Sequence, residues 1–134
     1  MIIRATDTEL ALSGTSAELW AVADRLVEIG VSLRCEVVAE TAAEPGPYTR
    51  VLALLRVVAS GGPIHVSVVG DALVVTGNPE MLRRFASFFR FSDEGGGNAH
   101  RHHEWWEGNE YIAEDSRPLV IETRDGSERE PEAE

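Results

Sequence analysis

The run Ala99-His100-Arg101-His102-His103-Glu104-Trp105-Trp106-Glu107 holds three of the chain's four histidines beside two carboxylates and two indole rings. On an extended strand alternate side chains share a face, which groups His100, His102, Glu104 and Trp106 against Arg101, His103 and Trp105. Two imidazoles and a carboxylate on one face suit zinc or another transition metal, with Glu107 as a second choice of carboxylate. Three ligands from a single strand make an open, weakly organised site, however. The one other histidine, His65, is distant in sequence. Histidines packing and hydrogen-bonding at a sheet explain the run more simply. No metal or cofactor is therefore expected, and His100, His102 and Glu104 stand as secondary metal candidates.

Other catalytic patterns are weaker. Cys35, within Leu33-Arg34-Cys35-Glu36, reads as a small hydrophobe on a strand rather than a nucleophile. No nucleophile-elbow pattern is present, and Gly95-Gly96-Gly97 lacks the lysine and hydroxyl of a phosphate loop. The many carboxylates of the last third have no apolar pocket in view that would keep one protonated. The chain is read as a non-enzyme, with a metal-dependent enzyme using the histidine strand as the alternative.

Binding chemistry is better represented. Glu104, Glu107, Glu110, Glu114 and Asp115 are interleaved with Trp105, Trp106 and Tyr111, and no base intervenes until Arg117. Aromatic anchors inside an acidic rim suit a protein interface, where rings bury area and carboxylates meet arginine or lysine. These eight residues are the expected partner-binding set. The plainer reading is a solvated loop with one tryptophan turned to the core.

Charge points the same way. Acids outnumber bases 23 to 12, and every base is arginine. From Glu104 to Glu134 there are 11 acids against 3 arginines, which carries −8 of the net −11. Such a surface repels phosphate backbones, so nucleic acid is excluded as a direct ligand, and it would steer a basic protein towards itself. A single cysteine suits a reducing compartment, and no secretory signal or apolar run of membrane-spanning length is seen. The expected location is the cytoplasm, with no membrane partner. Nothing in the sequence bears on oligomeric state.

The elements that must position these residues form two copies of one unit. At a shift of 63, Ile3 falls on Val66, Leu10 on Leu73, Leu12 on Val75 and Gly14 on Gly77. Further on, Leu19 falls on Leu82, Val22 on Phe85, Ala23 on Ala86 and Leu26 on Phe89. Each copy opens with a hairpin: strands 2–6 and 9–13 in the first, 64–69 and 72–76 in the second. A capping box, Thr15 to Glu18, starts a helix over 16–29 that Gly30 ends. Asn78 and Pro79 start a second helix over 79–89. Two strands follow each helix, 32–39 and 50–59, then 99–106 and 119–123, matching at a shift near 68 with Glu36 over Glu104 and Val51 over Leu119. The expected fold is α+β: a duplicated hairpin–helix–strand–strand unit, mainly antiparallel, with both helices on one face. That order is compatible with processivity-clamp domains. One domain is expected over 1–123, with pseudo-repeats at about 1–59 and 63–123, and a charged, frayed tail over 124–134.

The stretch His100-Arg101-His102-His103-Glu104-Trp105-Trp106 through Asp115-Ser116-Arg117-Pro118-Leu119-Val120-Ile121 resembles a recurring carboxy-terminal signature. In it a His-x-His strand leads through a loop to an acidic-Ser-x-x-Leu-Val-Ile strand. The signature is that of the bacterial polymorphic-toxin immunity proteins, in the group numbered thirty-two. The hairpin from Gly70 to Gly77 is similar as well, so the resemblance covers Ile64 to Ile121, about half the chain. It implies a small cytoplasmic protein that binds and neutralises a cognate toxin, a basic toxin domain being the natural partner. It brings no catalytic residues. A general protein-interaction module of the same fold is the other binding alternative.

Overall fold

Both helix starts are built as their sequences predict. In a computed structural model, which describes residues 1–91 and 99–124, the Thr15 hydroxyl accepts from the Glu18 N–H at 3.1 Å. Glu18 Oε1 accepts in return from the Thr15 N–H at 2.9 Å. Asn78 Oδ1 accepts from the Met81 N–H at 2.8 Å, and Pro79 occupies the first helical position. The glycine run 95–97 and the tail beyond residue 124 lie outside the described residues.

The fold is α+β. In chain order the elements are β1 (Ile2–Ala5), β2 (Leu10–Gly14), α1 (Ser16–Ser32), β3 (Arg34–Val38), β4 (Arg50–Leu52) and β5 (Leu54–Ala59). There follow β6 (His65–Val69), β7 (Ala72–Gly77), α2 (Pro79–Phe85) with a 3-10 turn (Ala86–Phe89), β8 (Ala99–His103) and β9 (Leu119–Thr123). They make a five-stranded sheet, β4-β1-β2-β9-β8, and a four-stranded sheet, β3-β5-β7-β6. The central contacts β2–β9 and β5–β7 are parallel, and the other pairs are antiparallel.

Each sheet therefore combines the hairpin of one repeat with the last strand pair of the other. The registers repeat too. Ile3 faces Leu12 as Val66 faces Val75, and Leu12 faces Ile121 as Val75 faces Val57. All eight residue pairs matched at a shift of 63 are buried. The later strands correct the sequence alignment: Leu55 is the counterpart of Leu119 and Val37 of His103, shifts of 64 and 66 rather than 68. Loops of unequal length in the two halves hide that offset from pattern matching.

The two sheets remain separate, and the helices lie together between them. α1 packs on β2 of one sheet and on β3 and β5 of the other, while α2 packs on β7 and on α1. Leu19, Val22 and Leu26 join Leu82, Phe85 and Phe89 in one apolar core with the inward residues of both sheets. No described helix is long and apolar enough to cross a membrane.

Three differences from the expected boundaries bear on the site and its supports. α1 continues through Gly30 to Ser32 and is capped by Leu33 at φ +66°, whose N–H bonds the Ile29 carbonyl. A helical glycine costs about 1 kcal/mol, a penalty small enough for the helix to run on to its cap. The strand expected over 50–59 breaks at Ala53, where the chain passes from one sheet to the other. Ala53 stays satisfied there, donating to the Asp71 carbonyl and accepting from the Ala39 N–H. Finally, β8 ends at His103 instead of Trp106.

Candidate functional site

The early end of β8 divides the histidine run. His100 and His102 project from the outward face of the edge strand, opposite Glu122 and Val120, with ring centroids 5.2 Å apart. Glu104 has left the strand and does not join them. Among the described residues no three histidine, cysteine or acidic side chains converge as metal ligands.

Arg101 and His103 face the helices. The Arg101 guanidinium donates to the carbonyls of Ser87 (2.7 Å) and Arg90 (3.0 Å) and lies 4.3 Å over the Phe91 ring. His103 is only 2% exposed and packs edge-on against Phe85 and Phe88, at 4.8 and 5.0 Å between centroids. Its Nδ1 is buried with no hydrogen-bond partner among the described residues. Burial pushes its pKa down to about 4, and a weak contact with its own backbone offsets little of this. The ring is neutral at pH 7. Its counterpart in the first repeat is Val37, so an imidazole occupies a position that the repeat otherwise fills with an aliphatic side chain.

After β8 the chain turns at Trp106–Asn109, closed by the Asn109 N–H on the Trp106 carbonyl at 3.0 Å. Gly108 sits there at φ +92°, a conformation glycine adopts without steric cost. Asn109 Oδ1 then accepts from the Tyr111 N–H. From this point the supposed loop is fastened along the edge of β6. The Ile64 N–H donates to the Tyr111 carbonyl (2.9 Å), Ala113 N–H to Ile64 (2.8 Å) and Arg117 N–H to Val66 (2.9 Å). The buried Ser116 hydroxyl accepts from the Val66 N–H at 2.8 Å. His65 Nε2 stands 3.2 Å from Asp115 Oδ1. The segment thus covers the β6 edge as β4 covers that of β1, but it runs parallel to its neighbour where β4 is antiparallel.

Of the eight residues expected to bind a partner, Glu104, Glu107, Glu110, Glu114 and Asp115 are exposed. Trp106 is 61% and Tyr111 48% exposed, while Trp105 is half-buried. Because β8 has ended, Trp106 does not share the His100–His102 face. It borders a cleft with His103 instead.

This cleft, of about 430 Å³, runs between α2 and the fastened loop. Met81, Arg84, Phe85 and Phe88 form the helical side. Trp106, Asn109, Tyr111 and Ile112 form the loop side, with His103 and Ile64 between. The Arg84 guanidinium lies 4.8 Å over the Tyr111 ring and 3.6 Å from Glu80, so its charge is already engaged. The pseudo-symmetry generates a second cleft at the equivalent place in the first repeat, of about 240 Å³. There Glu18, Ala21, Val22, Arg25 and Val37 stand where Met81, Arg84, Phe85, Phe88 and His103 stand in the larger one. The helical wall was not singled out from the sequence. The signal was present, since Glu18 against Met81 and Arg25 against Phe88 are the apolar substitutions between the aligned helices.

Comparison of the chain with models of known families, with characterised proteins and with solved structures gives no match.

Proposed function

We propose that the chain is a binding protein that neutralises a cognate protein toxin by covering part of its surface, and that it performs no chemistry of its own. The observation that carries the binding reading is the pair of exposed rings, Trp106 and Tyr111, bordering an aromatic cleft amid exposed carboxylates. Rings of this kind supply most of the affinity of an interface, and a rim of one charge sets orientation and association rate. The excess of 23 acids over 12 bases favours a basic partner. The narrower reading, toxin neutralisation inside the producing cell, draws on the resemblance of Ile64–Ile121 to immunity proteins.

Co-expression of the full chain with each protein encoded beside its gene tests that reading. Growth arrest caused by one neighbour is relieved when the chain is present. If none of those proteins is toxic, or none is neutralised, the toxin assignment is wrong. Reversing Glu107, Glu110, Glu114 and Asp115 to lysine slows association with the neutralised toxin and weakens binding. Unchanged affinity would remove the loop from the contact surface.

A further inference from the structure

The fold makes two clefts from one plan, and only one has been widened and lined with rings. In the first repeat the helix presents Glu18 and Arg25 and the strand presents Val37. In the second, the same places carry Met81, Phe88 and His103, the volume rises from about 240 to about 430 Å³, and Trp106 and Tyr111 are added from the loop. Folding does not demand the change, because the first repeat folds with the plainer set. It also leaves the buried Nδ1 of His103 unpaired among the described residues. A volume above about 300 Å³ bounded by apolar and aromatic walls is in the range of sites that enclose a ligand group.

The charges beside the cleft are specific. Glu104, Glu107 and Glu110 are exposed and directly follow or flank the lining residues His103, Trp106 and Asn109–Tyr111. On the helical side Arg84 is engaged by Tyr111 and Glu80. Exposed carboxylates thus margin the cleft along its β8 and loop side, which favours a cation next to an apolar group that enters it. Trp106, at 61% exposure, also offers a ring face to such a cation.

We propose that this cleft is the anchor site for the protein partner, receiving an aromatic side chain flanked by arginine or lysine. The inference rests on the binding reading above and names the chemistry that would be recognised. The acidic loop supplies attraction and register; the cleft supplies the anchor.

The probes are three capped tripeptides added to the full ¹⁵N-labelled chain: acetyl-Arg-Phe-Arg-amide, acetyl-Arg-Ala-Arg-amide and acetyl-Glu-Phe-Glu-amide. The Trp106 indole signal, identified through Trp106→Phe, and the Ile112 and Met81 amides report on the cleft; the Trp20 indole is the remote control. The Arg-Phe-Arg peptide shifts the cleft signals saturably below about 10 mM, a range that registers even millimolar affinity. The other two bind at least about ten-fold more weakly, and the paired exposed-site variant Trp106→Ala, Tyr111→Ala loses a similar factor for Arg-Phe-Arg. Equal binding of Arg-Ala-Arg would reduce the site to acidic attraction without an anchor. Preference for Glu-Phe-Glu would mean that Arg84 selects an anionic ligand. No saturable shift, or shifts centred on Trp20, would overturn the site altogether. A negative peptide result alongside rescue from a neighbouring toxin refutes the cleft and leaves neutralisation standing; binding without rescue does the reverse.

Discussion

Acidification should destabilise this protein through one buried ring. His103 titrates near 6.5 when exposed, as in the unfolded chain, and near 4 when folded, because burial between Phe85 and Phe88 disfavours its charged form. Between those values the unfolded chain binds a proton that the folded chain does not, so stability falls as pH falls. The contribution is complete above pH 6.5 and is lost towards pH 4. The linkage relation gives a loss of about 2 kcal/mol at pH 5 and a limit of about 3 kcal/mol, an appreciable part of a typical domain's stability. The carboxylates pull the other way, since protonating them relieves a net charge of −11. The comparison that isolates the ring is therefore wild type against His103→Leu, by guanidinium chloride unfolding at pH 7.5 and pH 5. At pH 7.5 the variant should be as stable as wild type or more so, because it removes a buried unpaired nitrogen worth about 1–3 kcal/mol and gives up edge contacts worth about 0.5–1.5 kcal/mol. On moving to pH 5 the difference should widen by about 2 kcal/mol in favour of leucine. Parallel pH dependences for the two proteins, or an imidazole titration of His103 near 6.5 in the folded state, would refute the reasoning.

Three further substitutions probe what holds the cleft. Gly77→Ala places a Cβ 2.7 Å from Ile64 Cδ1 and 3.4 Å from Ile64 Cα, and should cost about 1–3 kcal/mol in thermal unfolding, whereas Gly61→Ala, with open space around it, should be near neutral. Ser116→Ala orphans the buried Val66 N–H, which should cost about 1–3 kcal/mol and speed hydrogen exchange at Val66 ahead of the rest of β6. Asn78→Ala removes the cap of the short helix that walls the cleft, for about 1 kcal/mol, visible as a lower denaturation midpoint with an unchanged denaturant slope.

What could be read from the sequence was local. Thr15 with Glu18, and Asn78 with Pro79, announce their helices because the capping bonds join residues three apart. Paired core positions such as Leu12 and Val75 were legible because burial enforces a shared pattern on both repeats. The exchange of strand pairs between repeats was not. Alternation says which face of β9 is buried but nothing about whether β2 or β7 lies beside it, since either neighbour would bury Leu119 and Ile121 equally well. The end of β8 was hidden for a related reason. From His100 to Glu107 no glycine or proline interrupts the run, so periodicity carried the strand past His103 and assigned Trp106 to the wrong company. Of the candidate site, the charged and exposed part was visible as composition. The cleft was not, because Ile64, Phe88, His103 and Tyr111 belong to four separate segments.

A duplicated fold contains its own control, and this is what gives the differences between the halves their weight. Both repeats solve the same packing problem with the same hairpin register and the same helix stripe, so a residue that differs at equivalent places is one of at least two solutions the fold accepts there. Some differences are conservative, as with Val57 and Ile121 or Leu26 and Phe89. Others are not: Cys35 is replaced by Arg101, which is spent holding the end of α2's 3-10 turn through Ser87 and Arg90, and Val37 is replaced by His103. Both lie on the inner face of the edge strand, next to the helix that walls the larger cleft. The covering segments diverge in the same neighbourhood, since β4 covers β1 as a plain strand while the segment over β6 brings Tyr111 to the cleft and follows a turn that brings Trp106. Outward-facing pairs such as Arg56 and Val120 differ elsewhere in the sheets, but around the larger cleft the differences reach buried positions, and there the His103 nitrogen is left without a partner among the described residues, as the proposed binding role would tolerate.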